Sequence, residues 1–189
     1  GGLLLRNAYP GLIALAILLS ACGPAPAANV AQSSLKRETS PSVSASETDS
    51  LADGNNAFAL DMYQALASQN GNLILSPYSI SLALAMTYAG ARGETESQMA
   101  DVLHFTRRGQ DVHAAFNALD LALARRGKST DKDQEPIQLN IANAVWAEQT
   151  YPFLQDFLDT VAVNYGAGIR LADFINQYEP VRKEINSWV

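Results

Sequence analysis

Apolar residues recur at helical spacing over most of the chain and at strand spacing in one long stretch. Phe58, Met62, Ala65 and Leu66 make one stripe, which predicts an amphipathic helix from about residue 55, with Asn55 or Asn56 as its cap and Gly71 beyond its end. Leu73, Ile74 and Leu75 predict a short buried strand. Ser76-Pro77 then opens a helix over residues 79–89 that is apolar on nearly every side, the pattern of a helix at the centre of a protein. Gly90 and Gly93 bracket the turn after it. Thr95-Glu96-Ser97-Gln98 has the form of a capping box, ahead of Met99, Val102 and Leu103 on one face. Val112, Ala115, Phe116, Leu119, Ala122 and Leu123 give a further stripe, closed by Arg125-Arg126-Gly127.

Residues 128–136 are polar and predict a loop. Residues 137–147 then alternate, with Ile137, Leu139, Ile141, Val145 and Ala147 on one face, and this length implies a large sheet. Asn143 interrupts the apolar face and needs hydrogen-bond partners if buried. Pro152 predicts the next helix, with Phe153, Leu154, Phe157, Leu158 and Val161 inward. Gly166 and Gly168 lead into a strand over residues 169–174, and a last helix from Glu179-Pro180 carries Val181, Ile185, Trp188 and Val189. Two strands with so few partners leave a half-buried ladder open on both sides, so the reading is an α+β domain of which this chain is one part.

The first 54 residues follow different rules. Arg6 precedes an apolar run over residues 12–19, followed by small residues, which is the order of a secretory signal and too short to span a bilayer. Leu19-Ser20-Ala21-Cys22 resembles the bacterial lipobox, which implies cleavage before Cys22 and its lipidation. Each buried CH₂ of such chains adds about 0.8 kcal/mol of membrane attachment. The expected placement is therefore secreted, on the outer side of the cell envelope, anchored at Cys22. Residues 23–54 are rich in Ala, Pro, Ser and Thr, with no aromatic residue, and predict a flexible tether before a domain over residues 55–189.

Composition narrows the chemistry. A net charge of −6 opposes general nucleic-acid binding, and the lone Cys22 excludes an internal disulfide. His104 and His113 stand nine apart with no partner at metal-ligand spacing. Ser76 lies in no Gly-x-Ser-x-Gly context, and no phosphate-binding glycine loop is present. The chain is thus read as no enzyme, with neither cofactor nor metal. Arg107, Arg108, Arg125, Arg126 and Lys128 flank one helix, where helix ends in solvent account for the charges.

From Asn56 to Val189 the wording resembles the N-terminal half of a serpin. The carrying pieces are Asn56-Ala57-Phe58, Asn72-Leu73-Ile74-Leu75-Ser76-Pro77-Tyr78-Ser79-Ile80, Ala83-Leu84-Ala85-Met86 and Gly90-Ala91-Arg92-Gly93-Glu94-Thr95. Leu139-Asn140-Ile141-Ala142-Asn143-Ala144-Val145-Trp146 and Ile185-Asn186-Ser187-Trp188-Val189 complete the set. The resemblance implies helices A to F, the first strands of sheet A and a strand of sheet B. It implies a monomer when complete, which offers a reactive loop to a serine protease, in some members a cysteine protease, and inserts that loop into sheet A after cleavage. It places Ser76 and Ser79 in the shutter region, where the sheet parts, and puts the reactive-site bond beyond Val189. In some serpins the region of the arginines binds a polyanion such as heparin. The alternatives are a non-inhibitory, lipid-anchored binding or structural protein on this scaffold, or an inactive fragment.

Overall fold

The computed structural model describes residues 29–126 and 141–189. The described residues form six helices, the first four of which enclose one apolar cluster, and a small mixed sheet, an α+β arrangement. The helices are α1 (Ala45–Leu66), α2 (Pro77–Tyr88), α3 (Gly93–Val102), α4 (Gln110–Arg126), α5 (Gln155–Tyr165) and α6 (Tyr178–Trp188). The strands are β1 (Val30–Ala31), β2 (Val145–Glu148) and β3 (Ile169–Ala172), in the order β1-β3-β2. β2 and β3 are parallel because α5 makes the crossover between them, and β1 runs antiparallel to β3. α1 packs on α2 and α4, and α4 on α5. Their shared interior holds Leu51, Phe58, Leu82, Tyr88, Leu103, Phe105, Val112 and Phe116.

The N-terminal segment departs most from the sequence reading. Residues 29–54 are built into the fold instead of forming a tether. The Leu171 N–H donates to the Asn29 carbonyl at 2.7 Å, and the Glu38 N–H to the Val163 carbonyl at 2.9 Å. Gly168 lets β1 lie close, since a Cβ there would meet Val30 Cγ1 at 2.6 Å and Gln32 Cβ at 3.0 Å. α1 begins ten residues ahead of Asn55, at Ala45. Its cap is Ser44, which takes a hydrogen bond from the Glu47 N–H at 3.3 Å, while the Ser44 N–H donates to Glu47 Oε2 at 2.6 Å. The segment needs few large apolar residues because it is fastened mainly by polar and backbone contacts.

Other boundaries shift for local reasons. α3 starts at Gly93, two residues before the expected box, and Gln98 donates to Glu94 instead of capping. Residues 73–75 form no strand, and the Ile74 side chain is 95% exposed. β2 and β3 are shorter than expected, and the predicted loop over residues 128–136 lies outside the described residues. α2 is central on one side only. Ser81, Leu82, Ala85, Met86 and Tyr88 are buried, whereas Ile80 and Leu84 face outward, where none of the described elements covers them.

α3 ends in a Schellman turn with histidine where glycine is usual. The His104 N–H bonds to the Asp101 carbonyl and the Phe105 N–H to the Ala100 carbonyl, with His104 left-handed at φ 54°. Asp61 Oδ2 meets His104 Nε2 at 2.7 Å, an attraction that offsets part of the backbone strain. The His104 carbonyl presses on Gly54 inside α1. Alanine is favoured over glycine in a helix by about 1 kcal/mol. Here the sign is expected to reverse, because a Cβ at position 54 would collide with that carbonyl. Gly54→Ala in the full-length protein should lower stability by about 2 kcal/mol, read from the denaturant midpoint. A higher midpoint would show that α1 and α3 are not so closely seated.

Candidate functional site

Pro77 fixes the first turn of α2, and Ser76 stands at the N-cap position with φ −117° and ψ 86°. The Ser76 hydroxyl makes no capping bond; it donates to Ser79 Oγ at 2.9 Å. The two serines are therefore brought together, with Ser76 exposed and Ser79 half-buried. A hydroxyl that holds another hydroxyl is free to exchange it for a backbone or side-chain partner at little cost.

Deeper along α2 the polar groups lack partners. Ser81 is fully buried with its hydroxyl unsatisfied, and the Tyr78 hydroxyl is buried likewise. Desolvation pushes the Tyr78 phenol well up, and the neighbouring Asp120 adds to this while Arg37 opposes it. The remaining unsatisfied buried polar atoms among the described residues belong to Asn55 on α1, Asn143 just ahead of β2 and Trp146 on β2. These elements contact α2. A cavity of about 140 Å³ opens between Leu82, Met86, Ile141, Asn143, Tyr165 and the Arg37–Asp120 pair. Polar groups buried without partners cost stability.

Behind α2, α4 carries a polar row that the apolar reading passed over. His113, Asn117 and Asp120 are four and three residues apart and share one face. Asn117 is fully buried and forms a hub. Its Oδ1 accepts from Arg37 Nε at 2.9 Å, and its Nδ2 donates to the Glu38 carbonyl at 2.7 Å. Arg37 also pairs with Asp120 at 2.6 Å. His113, 3% exposed, joins its Nδ1 to the Tyr165 hydroxyl at 2.7 Å. Burial first, and Arg92 second, lower the His113 pKa to about 4. Polar residues on an apolar stripe were the available signal for this hub.

The remaining sequence candidates are dispersed. His104 and His113 have different partners and do not converge. Arg107 pairs with Glu47 at 2.8 Å and Arg108 with Asp101 at 2.9 Å, while Arg125 and Arg126 lie at the far end of α4. A helix of 17 residues separates these ends by about 25 Å, so the arginines form no single basic patch. Cys22 and Lys128 lie outside the described residues.

A family model described as "Serpin (serine protease inhibitor)" matches residues 53–189. The chain is 38% identical to leukocyte elastase inhibitor A of Mus musculus and 41% identical to leukocyte elastase inhibitor of Sus scrofa. Each match runs over 143 residues, which are 75% of this chain and 36% of the relative. Among solved structures, ovalbumin from emu (Dromaius novaehollandiae) is similar with a TM-score of 0.57 and 28% identity, covering 74% of this chain and 38% of that one. The chain spans about a third of the length of the curated relatives it matches.

Proposed function

Because the chain belongs to the serpin family, we propose that the full-length protein inhibits a serine protease of the elastase kind. It acts by suicide trapping, as an inhibitor and not as an enzyme. The observation that carries this reading is the identity of about 40% to proteins named leukocyte elastase inhibitor. In the proposed mechanism the protease cleaves a reactive loop beyond Val189, and the freed loop enters sheet A, of which β2 and β3 are strands. The α2 region supports such a step. Its Ser76–Ser79 hydroxyl pair and the unsatisfied polar atoms of Tyr78, Ser81 and Asn143 can take new partners as the sheet moves.

The test is to mix full-length protein with leukocyte elastase and resolve the products on a denaturing gel. A covalent complex stable to SDS is expected. Simple cleavage without a complex would reject trapping and favour a binding or structural role.

We propose separately that Cys22 is lipidated and holds the protein on the outer side of a membrane. The support is the order Leu19-Ser20-Ala21-Cys22 after the apolar run. The bacterial character of that motif draws nothing from the relatives above, which are vertebrate proteins. Cys22→Ala is expected to move the protein from the membrane pellet to the soluble fraction. An unchanged distribution would overturn the anchor.

A further inference from the structure

β2 and β3 end side by side. The parallel register pairs Glu148, the last residue of β2, with Ala172, the last of β3. The chain leaves both strands at one end of the sheet, about 5 Å apart, so the loops that follow are neighbours. The Gln149 N–H donates across to the Ala172 carbonyl at 3.0 Å. The buried Glu148 carboxylate then fastens both loops. One oxygen accepts the Thr150 N–H at 3.1 Å, and the other accepts the Phe174 and Ile175 N–H groups at 2.7 and 3.3 Å. N–H groups that converge on one carboxylate fix the backbone that carries them.

These fixed loops turn large apolar side chains outward. Tyr151 and Leu154 follow β2, while Phe174, Ile175 and Tyr178 follow β3. All five are exposed, Leu154 at 75% and Ile175 at 63%. A single exposed apolar residue needs no account, but five at one end of a sheet mark a surface for something else to cover. The two tyrosines, each an apolar ring with a polar tip, suit a boundary between water and hydrocarbon.

The N-terminal chain enters the fold at this same end. β1 is antiparallel to β3, so its start lies toward the end of β3. The Leu171 N–H binds the Asn29 carbonyl, and Val30 stands opposite Arg170. Asn29 is therefore level with a residue only three positions before Phe174, and Cys22 is seven positions before Asn29. A lipid at Cys22 brings a bilayer to this end of the sheet. Charge plays no part in the fit. Asp156, Asp173 and Glu179 lie in or beside the loops, and Arg182 is paired with Glu179 at 2.9 Å. With a net charge of −6 the protein has no general attraction to anionic lipid, so the contact is apolar.

We infer that Tyr151, Leu154, Phe174, Ile175 and Tyr178 form a membrane contact that rests on the surface of a zwitterionic bilayer and orients the domain there. The inference deepens the anchor proposed at Cys22 by naming the surface that meets the same membrane. It is tested without the lipid, so either reading can fail alone.

The test uses the full-length protein begun at Gly23, which keeps every described residue. Neither the apolar run over residues 12–19 nor a lipid then contributes. Part of this protein is expected to sediment with phosphatidylcholine vesicles, to the same extent at low and high salt. The partition into vesicles should fall about tenfold in Leu154→Asp/Ile175→Asp, since the apolar area available for burial is lost. Tyr151→Trp, in the same protein, provides a readout that leaves the other four side chains intact. Its emission, above that of the two native tryptophans, is expected to shift to the blue on vesicles and to be quenched by lipids brominated along their chains. Sedimentation that vanishes at high salt would overturn the inference, because charge would then be the attraction. No sedimentation together with an unshifted Tyr151→Trp would also overturn it, and would assign the patch to later parts of the chain or to a protein partner.

Discussion

Phe116→Ala is expected to cost the full-length protein about 4 kcal/mol of stability, the upper part of the range for a buried aromatic residue. Phe116 has no exposed surface and sits among three rings, with centroids 6.5 Å from Tyr78, 5.6 Å from Phe105 and 6.5 Å from Tyr165. The Phe105 contact is edge-on, the arrangement aromatic quadrupoles favour. These rings come from α2, the α3–α4 connection and α5, and α4 supplies Phe116 itself. Removing it therefore opens a cavity where four parts of the fold meet, and rings fixed by separate elements cannot all collapse into it. Phe116→Leu keeps most of the volume and should lose less than half as much. The check is the urea midpoint at an unchanged slope. A loss below about 1 kcal/mol for the alanine variant would mean that this cluster does not organise the core.

The second large effect is a loss of stability in acid traced to His113. Its folded pKa, about 4, lies below the ordinary value of 6.5. The neutral ring is therefore the form the fold accepts. Above pH 6.5 neither state protonates the ring, and the stability it permits is fully present. Between 6.5 and 4 the unfolded chain takes up a proton that the folded protein refuses, so stability falls as pH falls. Below 4 the difference is constant. Integrated over that window the loss is on the order of 3 kcal/mol. The cause is desolvation first, because the ring is closed in by Tyr88 and Tyr165, with Arg92 the nearby cation that adds to it. Tyr165 cannot answer the charge as an anion, since burial raises its own pKa far above the neutral range. His113→Gln is expected to flatten the dependence of the melting temperature on pH between 7 and 4.5. An equally steep fall in that variant would assign the acid sensitivity to other groups.

Legibility in the sequence followed the kind of force involved. Helices held by apolar stripes, such as α4 with Val112, Ala115 and Phe116, were readable because burial repeats with the helix period. The strap over residues 29–38 was not, since its fastenings are a guanidinium and backbone groups whose partners lie 79 or more residues away. Periodicity carries no trace of such pairs. The Ser44–Glu47 capping box was legible but stood inside a stretch whose composition suggested disorder. Ser76 and Ser79 were assigned to one region by the resemblance, yet their contact and their exposure were not foreseeable, because these depend on which layer covers the start of α2. Trp146 and Arg170 come together through the parallel register of β2 and β3, which no local pattern encodes.

If Cys22 is lipidated as proposed, the ordered strap limits how far the protein can reach. A lipid at Cys22 would be separated from Asn29, where the strap joins β3, by six residues. Even fully extended, that chain spans at most about 25 Å, less than the diameter of a small folded domain. A body on so short a leash could not roam above the membrane. The side of the molecule bearing β1 and β3 would face the lipid, and a protease would have to arrive from the far side or already be resident at the same surface.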